Sequence, residues 1–367
     1  MRILAIHQSS DLYGSDRSFL SAISALSHEP ASHQDINIIL PNDGPLSKEL
    51  EKLGAQIHYD PRGYLRRAAI KKPFNFIFES FLAYIRILKL VKRHDTIYIN
   101  TIVCLSAILA ITFTKKRKII HVREIPTGIE LKAFRILLRI SGAQLIYNSA
   151  ATRTAFGLPG EVIYNGVPAS TRRPAEAIGS KEGRPVRVLM LGRINTWKGQ
   201  DLLLSALSHT HSHLDVRIVG STVNEQQHIL EELKYSAEKL SSVHSVAFFD
   251  FTDTPDNHLA WSDYVIVPSL KPEPFGRVAI EGLAFGKPVI GSKHGGLVEI
   301  IQNCHNGFLF EPGSAIALGS LLESLPLPES QQYQSLSNNA LTDYADRFSL
   351  TAYQASIKSF LLNSSST

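Results

Sequence analysis

Short apolar runs rich in isoleucine, valine and leucine alternate with longer amphipathic stretches, and the alternation occurs twice along the chain. Residues 3–6, 36–40, 97–99, 119–122 and 145–147 are runs of strand length, largely without the polar alternation of a half-exposed sheet. Between them, segments such as 18–26 and 76–92 space their apolar residues at helical period. The second half repeats the scheme, with strand-like runs at 186–191, 216–219, 246–249, 264–267 and 288–290. Such alternation predicts parallel, doubly wound sheets, which bind ligands beyond the carboxyl ends of their strands. The expected fold class is therefore α/β, with two Rossmann-like domains.

A chain of 367 residues exceeds what one hydrophobic core usually serves, which agrees with two domains. The polar stretch 172–184, broken by Pro174, Gly179 and Gly183, reads as their linker. It separates an N-terminal domain, 1–171, from a C-terminal domain, 185–349, and leaves a last helix near 350–362. Hydrophobic residues at 44% and charged residues at 19% describe a globular chain, not a disordered one. Cys104 and Cys304 fit no metal or redox spacing, and a reducing compartment is the simplest reading. The apolar run after Met1 stops at His7 and reads as a buried strand, not a secretory signal.

The net charge of +5 hides an asymmetry: residues 1–175 carry 24 Lys and Arg against 13 Asp and Glu, the remainder 14 against 20. An anionic surface met by the first half is implied, and the lack of a base-reading motif favours a phospholipid leaflet over nucleic acid. Residues 62–93 concentrate this charge, with nine Lys or Arg, one acid (Glu79), and Tyr64, Phe74, Phe76, Phe78, Phe81 and Tyr84 interleaved. That pattern suits an anionic membrane interface. It suits equally a helix whose apolar face packs on a sheet while its charges face water. No apolar run of membrane-spanning length is free of charge; the nearest, 74–91, contains Glu79, Arg86 and Lys89.

Candidate chemistry concentrates between residues 273 and 299, EPFGRVAIEGLAFGKPVIGSKHGGLVE. A helix starting near Gly276 offers unpaired N–H groups and the positive end of its dipole to an anion. Glu281, about a turn and a half inside, is placed to accept hydrogen bonds from a polyol such as ribose. A phosphate cradle beside a hydroxyl-binding carboxylate suits a nucleotide sugar; the bland alternative is two glutamates that cap and solvate an ordinary helix. Leu191-Gly192-Arg193 closes the first strand of the second half, and Trp197-Lys198-Gly199 follows. Cations fixed there would stabilise a departing diphosphate without a metal. No Asp-x-Asp pair or His/Cys cluster is placed to hold a divalent ion, so no metal and no cofactor are expected.

These motifs, in this order, resemble the retaining glycosyltransferases of family 4, the group 1 glycosyltransferases of the GT-B fold. Glu273 and Glu281 match the E-x7-E signature within EPFG, E-G-x-A-x-G-x-P-V and H-G-G, and Gly192 to Gly199 looks like G-R-x-x-x-x-K-G. The likeness extends to Gly14, where Tyr13 replaces the first of two family glycines, and to His121 and Glu124 as H-x-x-D/E. Ser149, Thr152 and Arg153 match S-x-x-T-R, and Tyr164-Asn165-Gly166 matches a further element. The resemblance implies two Rossmann-like domains facing across a cleft, the C-terminal helix crossing back to the first. It implies Arg193, Lys198, Glu273 and His121 as catalytic residues, with His121 against the transferred sugar. Gly14, Gly192, Gly220, Phe275, Gly276, Arg277 and Glu281 would bind the donor, and Glu124 and Asn165 would lie toward the acceptor.

The implied activity is metal-independent transfer of a hexosyl unit from a nucleotide-diphosphate sugar to a glycan or lipid-linked acceptor. Bacterial surface polysaccharide biosynthesis is the implied setting (lipopolysaccharide, O-antigen or exopolysaccharide), at the cytoplasmic face of the membrane. Retention needs no general base there, because the departing phosphate can take the acceptor's proton. Two rivals are a sugar-nucleotide epimerase of the same fold, which would need acid/base carboxylates, and a non-catalytic nucleotide-sugar-binding scaffold. Intact Glu273, Glu281, Arg193 and Lys198 argue against the scaffold.

Overall fold

The computed structural model describes residues 1–27, 35–65, 73–170, 183–222 and 227–362. The chain divides into two compact units: Met1–Asn165 with the chain from Thr351 onward, and Gly166–Leu350. Most of the linker expected at 172–184 lies outside the described residues, as do Arg66, Arg67, Lys71 and Lys72 of the basic stretch.

In the first unit, β1 (Arg2–Ile6), β2 (Asp35–Leu40), β3 (Gln56–Tyr59), β4 (Thr96–Ile99), β5 (Arg117–Val122), β6 (Gln144–Tyr147) and β7 (Glu161–Val162) form a parallel sheet. Its strand order is β3-β2-β1-β4-β5-β6-β7. The described helices are α1 (Gly14–Ser27), α2 (Pro45–Lys52), α3 (Pro73–Arg93), α4 (Leu105–Thr112), α5 (Gly128–Ser141) and α6 (Ala150–Phe156). On one sheet face Leu4, Ile6, Ile97, Ile99, Ile120 and Val122 pack with apolar residues of α3, α4 and α5. Each such fully buried side chain contributes roughly 1.5–3 kcal/mol. Ser149 caps α6 by accepting the Thr152 N–H at 2.9 Å.

The second unit repeats the plan, with β8 (Val186–Leu191), β9 (Leu214–Val219), β10 (Ser245–Phe249), β11 (Tyr264–Val267), β12 (Val289–Ser292) and β13 (Gly307–Phe310). These strands are also parallel, in the order β10-β9-β8-β11-β12-β13. Around them lie α7 (Gln200–Leu207), α8 (Gln227–Glu238), α9 (Asp256–Trp261), α10 (Arg277–Ala284), α11 (Leu297–Ile300), α12 (Ala315–Glu323) and α13 (Gln331–Asp343). A π-helical turn, Tyr344–Phe348, leads into α14 (Leu350–Leu362).

The last helix packs within the first unit. The Tyr353 O–H donates to the Ser18 carbonyl at 3.1 Å. At the other end of α14 the Arg117 guanidinium donates to the Leu361 carbonyl at 2.6 Å and to that of Phe360. These are carbonyls a helix terminus leaves unpaired, at the negative end of its dipole, so a cation there is favourable. Among the described residues no helix is long and apolar enough to cross a membrane.

Each sheet has one place where the strand order reverses, between β1 and β4 and between β8 and β11. Loops leaving neighbouring strands diverge there and open a crevice, which is where doubly wound sheets take ligands.

Candidate active site

In the second unit the reversal point is framed by the loop after β8, carrying Gly192 to Gly199, and the loop after β11, leading to Gly276. The first loop is shaped by Asn195, whose Oδ1 accepts from the Trp197 and Lys198 N–H groups, each at 3.0 Å. The Lys198 ammonium lies 4.4 Å from the Trp197 ring centroid and donates to Glu273 Oε1 at 2.6 Å. Ser269 Oγ donates to the same oxygen at 2.5 Å. Glu273 is only 5% exposed, so this carboxylate is held with its negative charge countered at Oε1. Among the described residues Oε2 accepts from no protein group.

Gly276 caps α10 with φ 110°, a conformation that strains any residue with a side chain, and an added Cβ would sit 2.6 Å from Leu297 Cδ2. The helix thus starts where the sequence predicted, and glycine supplies no side-chain cap there. One turn in, the Arg277 Nε–H donates to Glu281 Oε1 at 2.9 Å, and Oε2 of Glu281 takes no protein donor among the described residues. Phe275 is buried, its ring centroid 6.1 Å from that of Phe348. Gly220 ends β9 so close to β8 that a Cβ on it would stand 1.9 Å from the Gly192 carbonyl oxygen. Arg193 follows Gly192 and is exposed. His294, which precedes the Gly295 that packs on the Glu273 backbone, has both ring nitrogens sealed from solvent without a protein partner among the described residues. Buried polar atoms in that state are places where a ligand or water completes the bonding.

The first unit builds a second polar cluster at its own reversal point, and sequence reasoning missed most of it. Arginine only donates, so the hydrogen positions follow from Arg123 outward. Its guanidinium donates to Asn100 Oδ1 at 2.9 Å, Asn165 Oδ1 at 2.7 Å, His121 Nδ1 at 3.2 Å and the Tyr353 hydroxyl at 3.3 Å. With Asn100 Oδ1 turned to Arg123, its Nδ2 donates to His7 Nδ1 at 3.1 Å. His7 Nε2 then carries the hydrogen and donates to Asp16 Oδ1 at 2.7 Å. Asp16 Oδ2 accepts the Tyr13 N–H at 2.9 Å, the returning half of a capping box at the start of α1. Gly14 is the first residue of that helix.

His121 inherits its tautomer from this chain. Because Nδ1 accepts, Nε2 bears the hydrogen, and that atom is buried without a partner among the described residues. Burial, with Arg123 adding to it, holds the imidazole well below its ordinary pKa, so it is neutral. Burial likewise lowers His7, outweighing the bond to Asp16. Burial alone would raise Asp16, but the bonds from His7, the Tyr13 N–H and Ser15 outweigh it.

Glu124 accepts from Thr101 Oγ1, from the Arg123 N–H at 3.2 Å and from the Ile102 N–H at 3.5 Å, while burial raises its pKa. Among the described residues the Arg123 side chain is spent on other acceptors, and only its backbone N–H reaches Glu124. Asn165 likewise spends its oxygen on Arg123. A cavity of about 350 Å³ lined by Arg117, Glu161, Val162, Ile163, Ser356, Ser359 and Phe360 holds none of the site residues. Among the described residues no three His, Cys, Asp or Glu side chains are grouped as metal ligands.

Two parallel sheets of Rossmann type in one chain, each with a polar cluster where its strand order reverses, define the class: this is the GT-B fold. Residues 172–343 match the family described as glycosyl transferases group 1. Mannosylfructose-phosphate synthase of Agrobacterium fabrum is 33% identical over 41% of this chain and 34% of its own length. The lipopolysaccharide 1,2-N-acetylglucosaminetransferase of Salmonella typhimurium is 33% identical over 35% of this chain and 36% of its own. The chain therefore spans about a third of the length of these curated relatives. The crystal structure of Anabaena Alr3699/HepE in complex with UDP and glucose matches with a TM-score of 0.80 and 23% identity, over 98% of this chain and 99% of that one. At that identity the likeness is one of fold.

Proposed function

We propose that the protein is a retaining, metal-independent family 4 glycosyltransferase that moves a hexosyl unit from a nucleotide-diphosphate sugar to a glycan or lipid-linked acceptor. The single observation that carries this reading is the second unit's arrangement: Lys198 locked onto buried Glu273, with Glu281 on α10, the helix whose N-cap Gly276 stands three residues after Glu273 in the same loop. The helix start and the cations Arg193 and Lys198 take the diphosphate, and the free oxygen of Glu281 takes the ribose hydroxyls. Glu273 is left to hold hydroxyls of the transferred sugar.

In the transfer step the bond from the sugar's anomeric carbon to the leaving phosphate oxygen breaks, and the acceptor oxygen bonds that carbon on the same face. The acceptor's proton passes to the departing phosphate oxygen. Two features of the first unit support a route without a protein base. His121 Nε2 already bears a hydrogen and Nδ1 is occupied by Arg123. Glu124 is surrounded by donors rather than presented to a hydroxyl.

The setting we infer is bacterial surface polysaccharide biosynthesis at the inner face of the cytoplasmic membrane, which the likeness to a lipopolysaccharide glycosyltransferase supports. The test is a panel of nucleotide sugars followed by mass spectrometry with and without acceptor glycans, in the presence and absence of EDTA. A glycosylated product formed equally with chelator supports the reading. Free sugar or epimerised donor independent of acceptor points to the epimerase, and binding without turnover points to the scaffold.

A further inference from the structure

We propose that α3, α4 and α5 together form a docking face for an anionic phospholipid leaflet. All three helices pack on the same side of the first sheet. Ala83 and Ile87 of α3, Ile108 of α4 and Leu138 of α5 share one core cluster with strand residues such as Ile6 and Ile120. Away from that core, ordinary amphipathic helices are polar. These are not.

On α3, Phe74, Ile77, Phe78, Phe81 and Ile85 recur at helical spacing and all are exposed, Phe74 at 85%. They form a second apolar stripe, distinct from the buried one through Ala83, Ile87 and Val91. Leu109 of α4 and Phe113 at its C-cap continue the surface, Phe113 at 89% exposure. Ile129, Ile136 and Ile140 do the same on α5. Among the described residues twenty large hydrophobic side chains are exposed, and ten of them sit on or at the end of these three helices. Scattered exposed side chains need no explanation, but a concentration of this kind marks an interaction surface.

Charge selects the occupant. Lys89, Lys92 and Arg93 end α3, Lys115 and Lys116 follow Phe113, and Lys132 and Arg139 accompany the isoleucines of α5. The acids on these helices are Glu79 and Glu130. Apolar ridges rimmed by long cationic side chains match a bilayer interface, where rings enter the acyl boundary and ammonium groups reach anionic headgroups. A second copy of this chain would bring cation against cation. The basic stretch read from sequence at 62–93 is also revised. Arg62 and Arg86 are committed to Asp60 at 2.8 and 3.2 Å, and Tyr64 is buried, whereas the face continues beyond that stretch onto α4 and α5.

Docking rests on this surface alone; that it delivers a lipid-linked acceptor rests on the sugar-transfer reading. The experiment is co-sedimentation of the full chain with phosphatidylcholine vesicles, with and without phosphatidylglycerol, across a salt series. Binding should require the anionic lipid and weaken with salt. Phe78→Glu with Phe81→Glu should lower partitioning at least about a hundredfold, since each ring supplies an aromatic transfer term. Neutralising Lys89, Lys92 and Lys116 to Gln should lower it about fivefold per residue. Circular dichroism and donor hydrolysis, both read without lipid, should stay unchanged in these variants, so a failed transferase leaves the lipid result legible. Absence of binding to anionic vesicles, or binding undiminished in both variants, overturns the proposal. So does a dimer in solution that these substitutions dissociate.

Discussion

Replacing Arg123 with methionine tests the buried cluster of the first unit most directly. Methionine keeps the length and apolar stem of the side chain but removes every donor. The Asn165 oxygen then loses the Arg123 donor. Tyr98 has one hydroxyl hydrogen, within reach of Asn100 Oδ1 at 2.8 Å and His121 Nδ1 at 3.0 Å, so it satisfies one of them and leaves the other bare. Tyr353 still donates to Ser18 and is not orphaned. Two buried acceptors without donors cost about 1–3 kcal/mol each, and relief from burying a cation offsets part of that. A net loss of about 3 kcal/mol follows, which lowers the melting temperature of a unit this size by roughly 6–12 °C. Denaturant and thermal unfolding of wild type and R123M measure it. Nitrogen-15 NMR of the wild-type histidines supplies an independent check, because the derivation demands hydrogen on Nε2 of both His7 and His121. A destabilisation below about 1 kcal/mol, or hydrogen found on Nδ1 of His121, would refute the reasoning.

Further expectations concern the second unit and the pH response. Lys198→Ala should lower kcat by about 10²–10³ with a small change in donor KM, as loss of a preorganised group facing developing charge does; a change confined to KM would contradict it. Glu281→Ala should instead weaken donor binding about tenfold to a hundredfold, read by calorimetry with the nucleotide diphosphate and the nucleotide sugar. Gly220→Val forces a side chain into the Gly192 backbone and should destabilise the second unit by about 3 kcal/mol or more, measurable as a lowered unfolding midpoint. Stability should fall as pH drops from the ordinary histidine value of 6.5, because His7, His58, His121 and His258 are all held below it in the folded state, burial being the largest cause for each. The unfolded chain binds those protons first, so acid favours unfolding by up to about 1.4 kcal/mol per pH unit per histidine. Glu124, raised by burial, opposes this with one group against four. A flat unfolding free energy between pH 6.5 and 5 would contradict the burial argument.

What could be read from sequence, and what could not, follows from how far apart cooperating residues lie. The central strands were legible because burial on both faces removes polar alternation and leaves plain runs such as 119–122. Strand β3 was not, since Gln56-Ile57-His58-Tyr59 is part-exposed and carries a single aliphatic residue, and β7 spans two residues. The second unit's cluster was legible because each half is contained in one loop, so Lys198 and Gly199, or Glu273 and Gly276, stand within a few positions of each other. The first unit's cluster had no such spelling. His7 and Asp16 come from the chain after β1, Asn100 from the end of β4, Arg123 from the end of β5, Asn165 from beyond β7 and Tyr353 from α14. None forms a motif alone, and only the parallel order β1-β4-β5 brings them together.

That dispersal has a mechanical consequence. Arg123 reaches Tyr353 across 230 positions, and Arg117 secures the far end of the same helix through the Phe360 and Leu361 carbonyls. The last helix therefore closes the shell around the arginine that sets the hydrogen on His121. A change at Tyr353 should thus act on that histidine, while the Lys198–Glu273 pair, wholly contained in the other unit, stays as it is.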